Sequence, residues 1–499
     1  MDQIKITKKN ETFLFVETDP SVEMELSEHF CFFVPGYKFM PAYRNKFWDG
    51  KIRLFDTRKK TLYVGLYKYL KEFAAQRGYE VLTDDSSQYG SVIPEKLPLD
   101  FGRAPVLTAN QIPIEPRDYQ FKALEHALKN ERSLLLSPTA SGKSLIIYLA
   151  ARWYIEQDPS MKILIIVPTI SLVEQMYSDF DDYSSTDEWF NTDEYAMKIH
   201  GGTVKGERMG RIVISTWQSI YKRSAEFFQV FGMVIGDEAH QFKAKSMTAI
   251  MEKCTEAKYR IGTTGTLDGA QTHQLVLEGL FGPVHKVTTT KELMDTDQLA
   301  KLEIQMLLLK YKEEHCKQIS KLKYQEEIDF IVRYTPRNNF IANLALDQDG
   351  NTLVLFNYVE KHGKPLHNIL KDKIKGDRKL FYVSGETDVD TRENVRSITE
   401  TQNNAIIVAS LGTFSTGINI RNLHNIIFAS PSKSQIKVLQ SIGRGLRQSD
   451  DGSTTQLFDI ADDLHYKSKK NFTLLHSAER VKIYAKEQFK YKIVQVNIE

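Results

Sequence analysis

Eight short apolar runs constrain this chain more than any other feature. Four come early: SLLLS at 133, KILIIVP at 162, RIVIST at 211 and MVIGDE at 233. Four come late: NTLVLFNY at 351, KLFYVSGE at 379, NAIIVAS at 404 and HNIIFAS at 424. A strand with one face in water alternates apolar and polar side chains. These runs do not alternate, so both their faces are covered. Helical patterns separate them, and apolar runs alternating with helices read as parallel strands joined by crossovers. With 499 residues, the chain is too long for one core. Two tandem α/β domains follow, at 114–295 and 296–465. Residues 1–90 read as a small α+β module, with a helix near LYKYLKEFAAQRG. Residues 84–113 carry Ser, Gly and Pro without a clear period, and 91–113 read as a linker. Residues 466–499 read as a helical extension packed on the second domain.

Composition excludes several classes. No run of about 18 apolar residues exists, so no membrane span is expected. The N-terminus lacks the apolar segment of a signal peptide, and a cytoplasmic protein is expected. Cys31, Cys254 and Cys316 are far apart and have no metal-ligand spacing. Net charge is only +2, but it is unevenly spread. Six acids and no base lie between Glu11 and Glu28. Ten Lys or Arg lie between Lys38 and Lys71, against Asp49 and Asp56. A basic N-terminal patch is therefore expected.

SPTASGKS (137–144) follows a strand and precedes an apolar helix, which is the setting of a phosphate loop. Backbone N–H groups and the helix dipole there favour an anion. Pro138, Thr139, Ala140, Ser141 and Gly142 would cradle phosphates, Lys143 would reach the outer phosphates, and Ser144 would hold Mg²⁺. Ser137 stands where the loop pattern has Gly. GDEAH (236–240) ends a second apolar strand with two acids. Asp237 would hold Mg²⁺, and Glu238 would orient and deprotonate the attacking water.

On these residues the chain resembles superfamily 2 helicases of the DEAH type, and the motifs come in that family's order. EPRDYQ (115–120) resembles the adenine-recognition element, with Arg117 and Gln120 at the base. VPTISLVEQ, ISTWQS and GTTGT resemble motifs Ia, Ic and III. LVLFNYVEKHG, VASLGTFSTGINI and QSIGRGLRQ resemble motifs IV, V and VI. The resemblance implies two RecA-like domains with ATP and Mg²⁺ between them. It further implies Gln440, Arg444 and Arg447 as catalytic residues from the second domain, with Gly417 and Asn419 near the nucleotide. Pro168, Thr169, Thr216 and Thr416 would hold nucleic-acid phosphates. A narrower similarity, to the UvsW family of T4-like bacteriophage helicases, rests on GYKF…WDGKIRL, KYQEEIDFI…RNNFIA and GINIRNLHNIIFA. It implies a 3′-to-5′ DNA motor acting on displacement loops, RNA–DNA loops, Holliday junctions and stalled forks. The motor would work as a monomer in the host cytoplasm, beside phage recombination or single-strand-binding proteins. A duplex translocase, an RNA helicase and an ATP-gated clamp remain alternatives.

YRNKFWDGKIRLF (43–55) lies outside the motor motifs. Asp-Gly between two alternating runs predicts a two-residue hairpin. Phe47, Ile52 and Leu54 would then face inward, and Lys46, Trp48, Lys51 and Arg53 would face DNA.

Overall fold

The computed structural model describes residues 3–84, 105–200, 209–241, 244–267, 273–417, 422–430 and 454–498. The chain divides into one unit of residues 1–137 and 142–287 and another of 138–141 and 288–499.

In the first unit all four early runs become strands of one parallel seven-stranded sheet. Its order is Ala196–Ile199, Ile212–Thr216, Lys162–Val167, Phe231–Gly236, Tyr259–Thr264, Arg132–Leu136 and Val284–Lys286. The side chains of Ile163 to Val167 are fully buried, as continuous apolar runs require. The second unit repeats the plan. Its order is Lys379–Val383, Ala405–Ser410, Thr352–Phe356, Asn425–Phe428, Thr455–Asp463, Leu302–Lys310 and Lys490–Asn497. Fold class thus follows the sequence: two parallel-sheet α/β domains in tandem.

The extension differs from expectation in one respect. The helix spans Phe472–Lys486, and the chain then returns as the strand Lys490–Asn497, parallel to Leu302–Lys310. The helix is fixed by charge as well as apolar contact. Arg480 and Tyr484 both bond the buried Asp459, and Glu327 accepts the amides of Phe472 and Thr473.

The N-terminal module is a four-stranded sheet ordered Thr61–Tyr63, Phe13–Glu17, Gln3–Lys8 and Glu80–Thr83. Ile4, Ile6, Leu14 and Val16 alternate inward against the helices Pro20–His29 and Tyr67–Arg77. Its core does not end at the module. It runs on through Ile250, Met251, Leu277, Leu280 and Phe281 of the first parallel-sheet domain. Gly65 lies against the backbone of Glu278, where an added Cβ would fall 2.1 Å from the carbonyl oxygen. The buried Arg132 bonds Glu11 at 2.6 Å, and the buried Arg260 bonds Thr12 at 2.7 Å. Burial, with Arg132 beside it, pushes Arg260 down to about 9. Of the stretch read as a linker, Thr108–Ala109 and Ile112–Pro113 form a small antiparallel ladder.

Candidate active site and nucleic-acid contacts

The chemistry-bearing residues of the first unit collect at the C-terminal ends of its parallel strands, where open α/β sheets bind ligands. Ser137 follows Arg132–Leu136, Asp237 follows Phe231–Gly236, and Thr264 ends its own strand. Register aligns them: Leu136 pairs with Thr264, and Gly236 with Gly262.

Lys143 opens the helix Lys143–Gln157, with Gly142 in the left-handed conformation before it. Its Nζ donates to the Ser137 carbonyl at 3.4 Å and pairs with Glu238 Oε1 at 3.4 Å. Ser141 Oγ donates to the Pro138 carbonyl at 2.7 Å, closing the loop on itself. Successive side chains on a strand point to opposite faces. Glu238 escapes that alternation because its backbone turns left-handed, at φ +49°. Its amide donates to Asp237 Oδ1 at 2.9 Å. Asp237 also accepts from Thr263 Oγ1 at 2.5 Å. Burial first, and the Glu238 charge second, push the Asp237 carboxyl up to about 6, although Lys143 opposes them. Two hard oxygen donors crowded in a buried site suit a divalent cation, whose charge would relieve that crowding. Ser144, the other expected ligand, has its Oγ 2.9 Å from the Tyr183 hydroxyl.

His240 joins this centre to motif III. Its Nδ1 lies 2.7 Å from Thr264 Oγ1 and 3.4 Å from Glu238 Oε2. Burial lowers its pKa, with the Glu238 carboxylate pulling the other way and the Lys143 charge adding to the fall. Gln120 is buried, and its Oε1 accepts the Arg117 amide at 2.9 Å. Its Nε2 donates to the Gly142 carbonyl at 3.3 Å, tying the EPRDYQ segment to the phosphate loop. The Arg117 guanidinium bonds the Tyr119 hydroxyl.

Motifs Ia and Ic lie side by side, because Val167 pairs with Thr216 in register. Thr169 caps the helix Ile170–Tyr183, and the Pro168 carbonyl accepts from Gln218 at 3.4 Å. Thr216 Oγ1 is 2.9 Å from Ser219 Oγ. In the second unit the motif V segment follows the strand Ala405–Ser410 as the helix Leu411–Gly417, which contains Thr416 and Gly417. Asn419, Gln440, Arg444 and Arg447 lie outside the described residues.

The two-residue hairpin at Asp49-Gly50 does not form. Lys51–Arg53 pairs instead with Cys31–Phe33, with Phe32 opposite Ile52. Pro41–Arg44 is a helical turn, for which a proline in the first turn is well suited. Gly50, at φ +84°, faces Tyr37, whose ring an added Cβ would meet at 2.3 Å. Phe47 is 86% exposed and Ile52 is 41% exposed, so neither faces inward as expected, whereas Leu54 packs on the module core. Lys51 and Arg53 both bind Glu28, at 2.5 Å, and Arg53 also binds Asp49. The acidic run thus neutralises part of the basic one. Trp48 is half-buried, and its Nε1 donates to the Lys51 carbonyl at 2.8 Å. The sequence reading missed Phe39, which is 76% exposed. Within the basic stretch counted from the sequence, Val34 to Trp48 holds Lys38, Arg44 and Lys46 without one acid. These three form no ion pair with a described residue. The ribbon is seated on the first parallel-sheet domain by Phe32, which stacks on His273 at 3.8 Å.

Two tandem parallel sheets, a phosphate loop and a paired-acid strand end define a superfamily 2 helicase. Family models agree: "Type III restriction enzyme, res subunit" matches residues 113–269, and "Helicase conserved C-terminal domain" matches 336–449. "DNA helicase UvsW, N-terminal" matches residues 3–84. The chain is 35% identical to the ATP-dependent DNA helicase uvsW of Enterobacteria phage T4, over 99% of this chain and all of that one. The crystal structure of T4 UvsW superposes with a TM-score of 0.53 at 33% identity, covering 99% of both chains. DNA 3'-5' translocase XPB2 of Sulfurisphaera tokodaii is 25% identical over 68% of this chain and 80% of its own length. The chain belongs to the UvsW family of ATP-dependent DNA helicases.

Proposed function

We propose that the chain unwinds or branch-migrates branched DNA, namely displacement loops, RNA–DNA loops, four-way junctions and stalled forks. It would move 3′ to 5′ in the host cytoplasm as a monomeric motor, beside recombination or single-strand-binding proteins. The observation that carries the catalytic part is the convergence of Lys143, Asp237 and Glu238 at adjoining strand ends. Lys143 leaves Glu238 and neutralises the outer phosphates of ATP. Glu238, released from that pair, orients the attacking water and takes its proton. Pro138 to Gly142 direct backbone N–H groups at the phosphates, and Arg117 and Gln120 hold the base. Mg²⁺ held by Ser144 and Asp237 would supply charge neutralisation between the phosphates. By the family resemblance, Gln440, Arg444 and Arg447 would serve as catalytic residues, and Gly417 and Asn419 would belong to the nucleotide-binding set. His240 passes the state of Glu238 to Thr264. Pro168, Thr169, Thr216 and Thr416 position nucleic acid without reading its sequence.

In the ribbon, Lys46 acts with Lys38 and Arg44 on phosphate, and Phe39 and Phe47 stack on bases opened at the branch. Lys51 and Arg53 anchor the ribbon to the Pro20–His29 helix, and Trp48 pins its turn.

The test is strand displacement on forks, four-way junctions and RNA–DNA hybrids with an ATPase readout. Unwinding of all three is expected. Triplex displacement without unwinding would instead support a duplex translocase; the Sulfurisphaera relative is named a DNA 3'-5' translocase. Stimulation by RNA alone would overturn the DNA assignment. Within the same assay, Phe39→Ala with Phe47→Ala should slow fork unwinding about tenfold or more, since each stacked base is worth about 1–3 kcal/mol. Single-strand-stimulated ATPase should stay unchanged, because both rings lie on the surface. Equal fork unwinding by the double variant would remove the ribbon from the reaction.

A further inference from the structure

A second basic surface, in the second unit, is used by none of the motor motifs. Lys317, Lys321 and Lys323 lie on KQISKLK, and Lys467, Lys469 and Lys470 lie on YKSKKN. Neither segment contains an acid. The fold brings the two together: Lys469 Nζ bonds the Ser320 carbonyl, and Tyr324 meets Phe472 with ring centroids 5.9 Å apart. All six lysines are exposed, and none forms an ion pair with a described residue. Six unneutralised cations on two adjoining segments make a surface for a polyanion. The buried acids beside it are already engaged: Glu327 accepts from Asn471, Phe472 and Thr473, and Asp463 pairs with Lys310 and His465.

The surface continues into motif IV. The helix Tyr324–Arg333 runs beside the turn Val359–Gly363, and Asp329 pairs with Lys361 at 2.8 Å. Tyr324 lies near enough to Tyr358 for the two phenols to interact. Nucleic acid held at motif IV would therefore extend over Tyr324 towards the lysines. The aromatic rings bear on which form of nucleic acid. Tyr324 meets Phe472 edge to face, at 79°, and meets His476 in the same way, at 63°. Rings covered in this way offer edges to sugars rather than open faces to bases, so single strands gain little there.

We propose that this lysine surface binds the phosphate backbone of a duplex arm of branched DNA, outside the single-strand track; the inference rests on the reading of the chain as a DNA motor. The test compares the full-length protein with a variant carrying Lys317→Ala, Lys321→Ala, Lys467→Ala and Lys470→Ala. Binding is measured by fluorescence anisotropy on a four-way junction and on an equal length of single strand, across a salt series. Junction affinity should fall about tenfold or more, and its salt slope should drop by about 2–4, since each phosphate contact contributes about 0.9. Single-strand binding and single-strand-stimulated ATPase should hold. Arg at the same four positions should restore junction binding. Unchanged junction affinity and slope would overturn the proposal. So would equal losses on both DNAs, which would make the occupant a single strand. If the unaltered protein shows no DNA-stimulated ATPase, the motor reading fails first. If it does, and the variant matches it on junctions, only the duplex surface fails.

Discussion

Glu238→Gln lowers DNA-stimulated ATP hydrolysis by about 10²–10⁴-fold while DNA binding persists, because a positioned general base contributes on that scale. Gln keeps the size of the side chain and its reach to His240, but it cannot accept the proton. Lys143→Ala has a comparable effect by another route. It removes the cation that faces Glu238 at 3.4 Å and leaves two neighbouring acids uncompensated. Steady-state ATPase with saturating DNA, paired with anisotropy, checks both. Normal hydrolysis in either variant would sink the site assignment. Loss of binding along with hydrolysis would point to misfolding of the loop.

Much of this site was legible because its parts are local. SPTASGKS and GDEAH each sit at a strand end, and strand ends are marked by where the apolar run stops. The left-handed turn at Glu238 and the His240 bridge were not legible, since both arise from backbone conformation and burial. The ribbon shows the opposite failure. Asp-Gly was a strong local signal, yet the partner of Lys51–Arg53 is Cys31–Phe33, more than fifteen residues upstream. Pro41 at a helix start and the β-prone run CFF were the competing signals. Similarly, charge counting found the basic stretch but could not reveal that Glu28 neutralises two of its members.

Removing residues 1–84 should leave the first motor domain aggregated or unfolded rather than merely deprived of a DNA-binding arm. The deletion would uncover Leu277, Leu280 and Phe281, which are fully buried in a core shared with the module. Two point variants test the same seam without deleting anything. Gly65→Ala forces a methyl group against the Glu278 carbonyl, 2.1 Å away, and should lower the melting temperature by several degrees. Glu11→Ala leaves the buried Arg132 without its main partner. Loss of one partner of a buried pair costs about 3–5 kcal/mol, and Glu131 nearby places this case at the lower end. The pH dependence has a definite sign. Burial works against the Glu11 carboxylate, but Arg132 and Lys8 outweigh it and hold its pKa below the ordinary glutamate value. The stabilisation is thus present above the ordinary glutamate range and fades as pH falls through the lowered native value. Thermal melts of the wild type and Glu11→Ala should converge in acid. A constant gap down to pH 3 would count against the ion pair.

The strand Leu302–Lys310 lies between Thr455–Asp463 and Lys490–Asn497, made about 150 and about 190 residues later. During synthesis it therefore waits with both edges open, as an apolar ribbon on a nascent chain. Pairings of such sequence separation form slowly and leave strands exposed to self-association. Yield in a heterologous host should accordingly depend on chaperone supply and growth temperature more than on the stability of the finished enzyme.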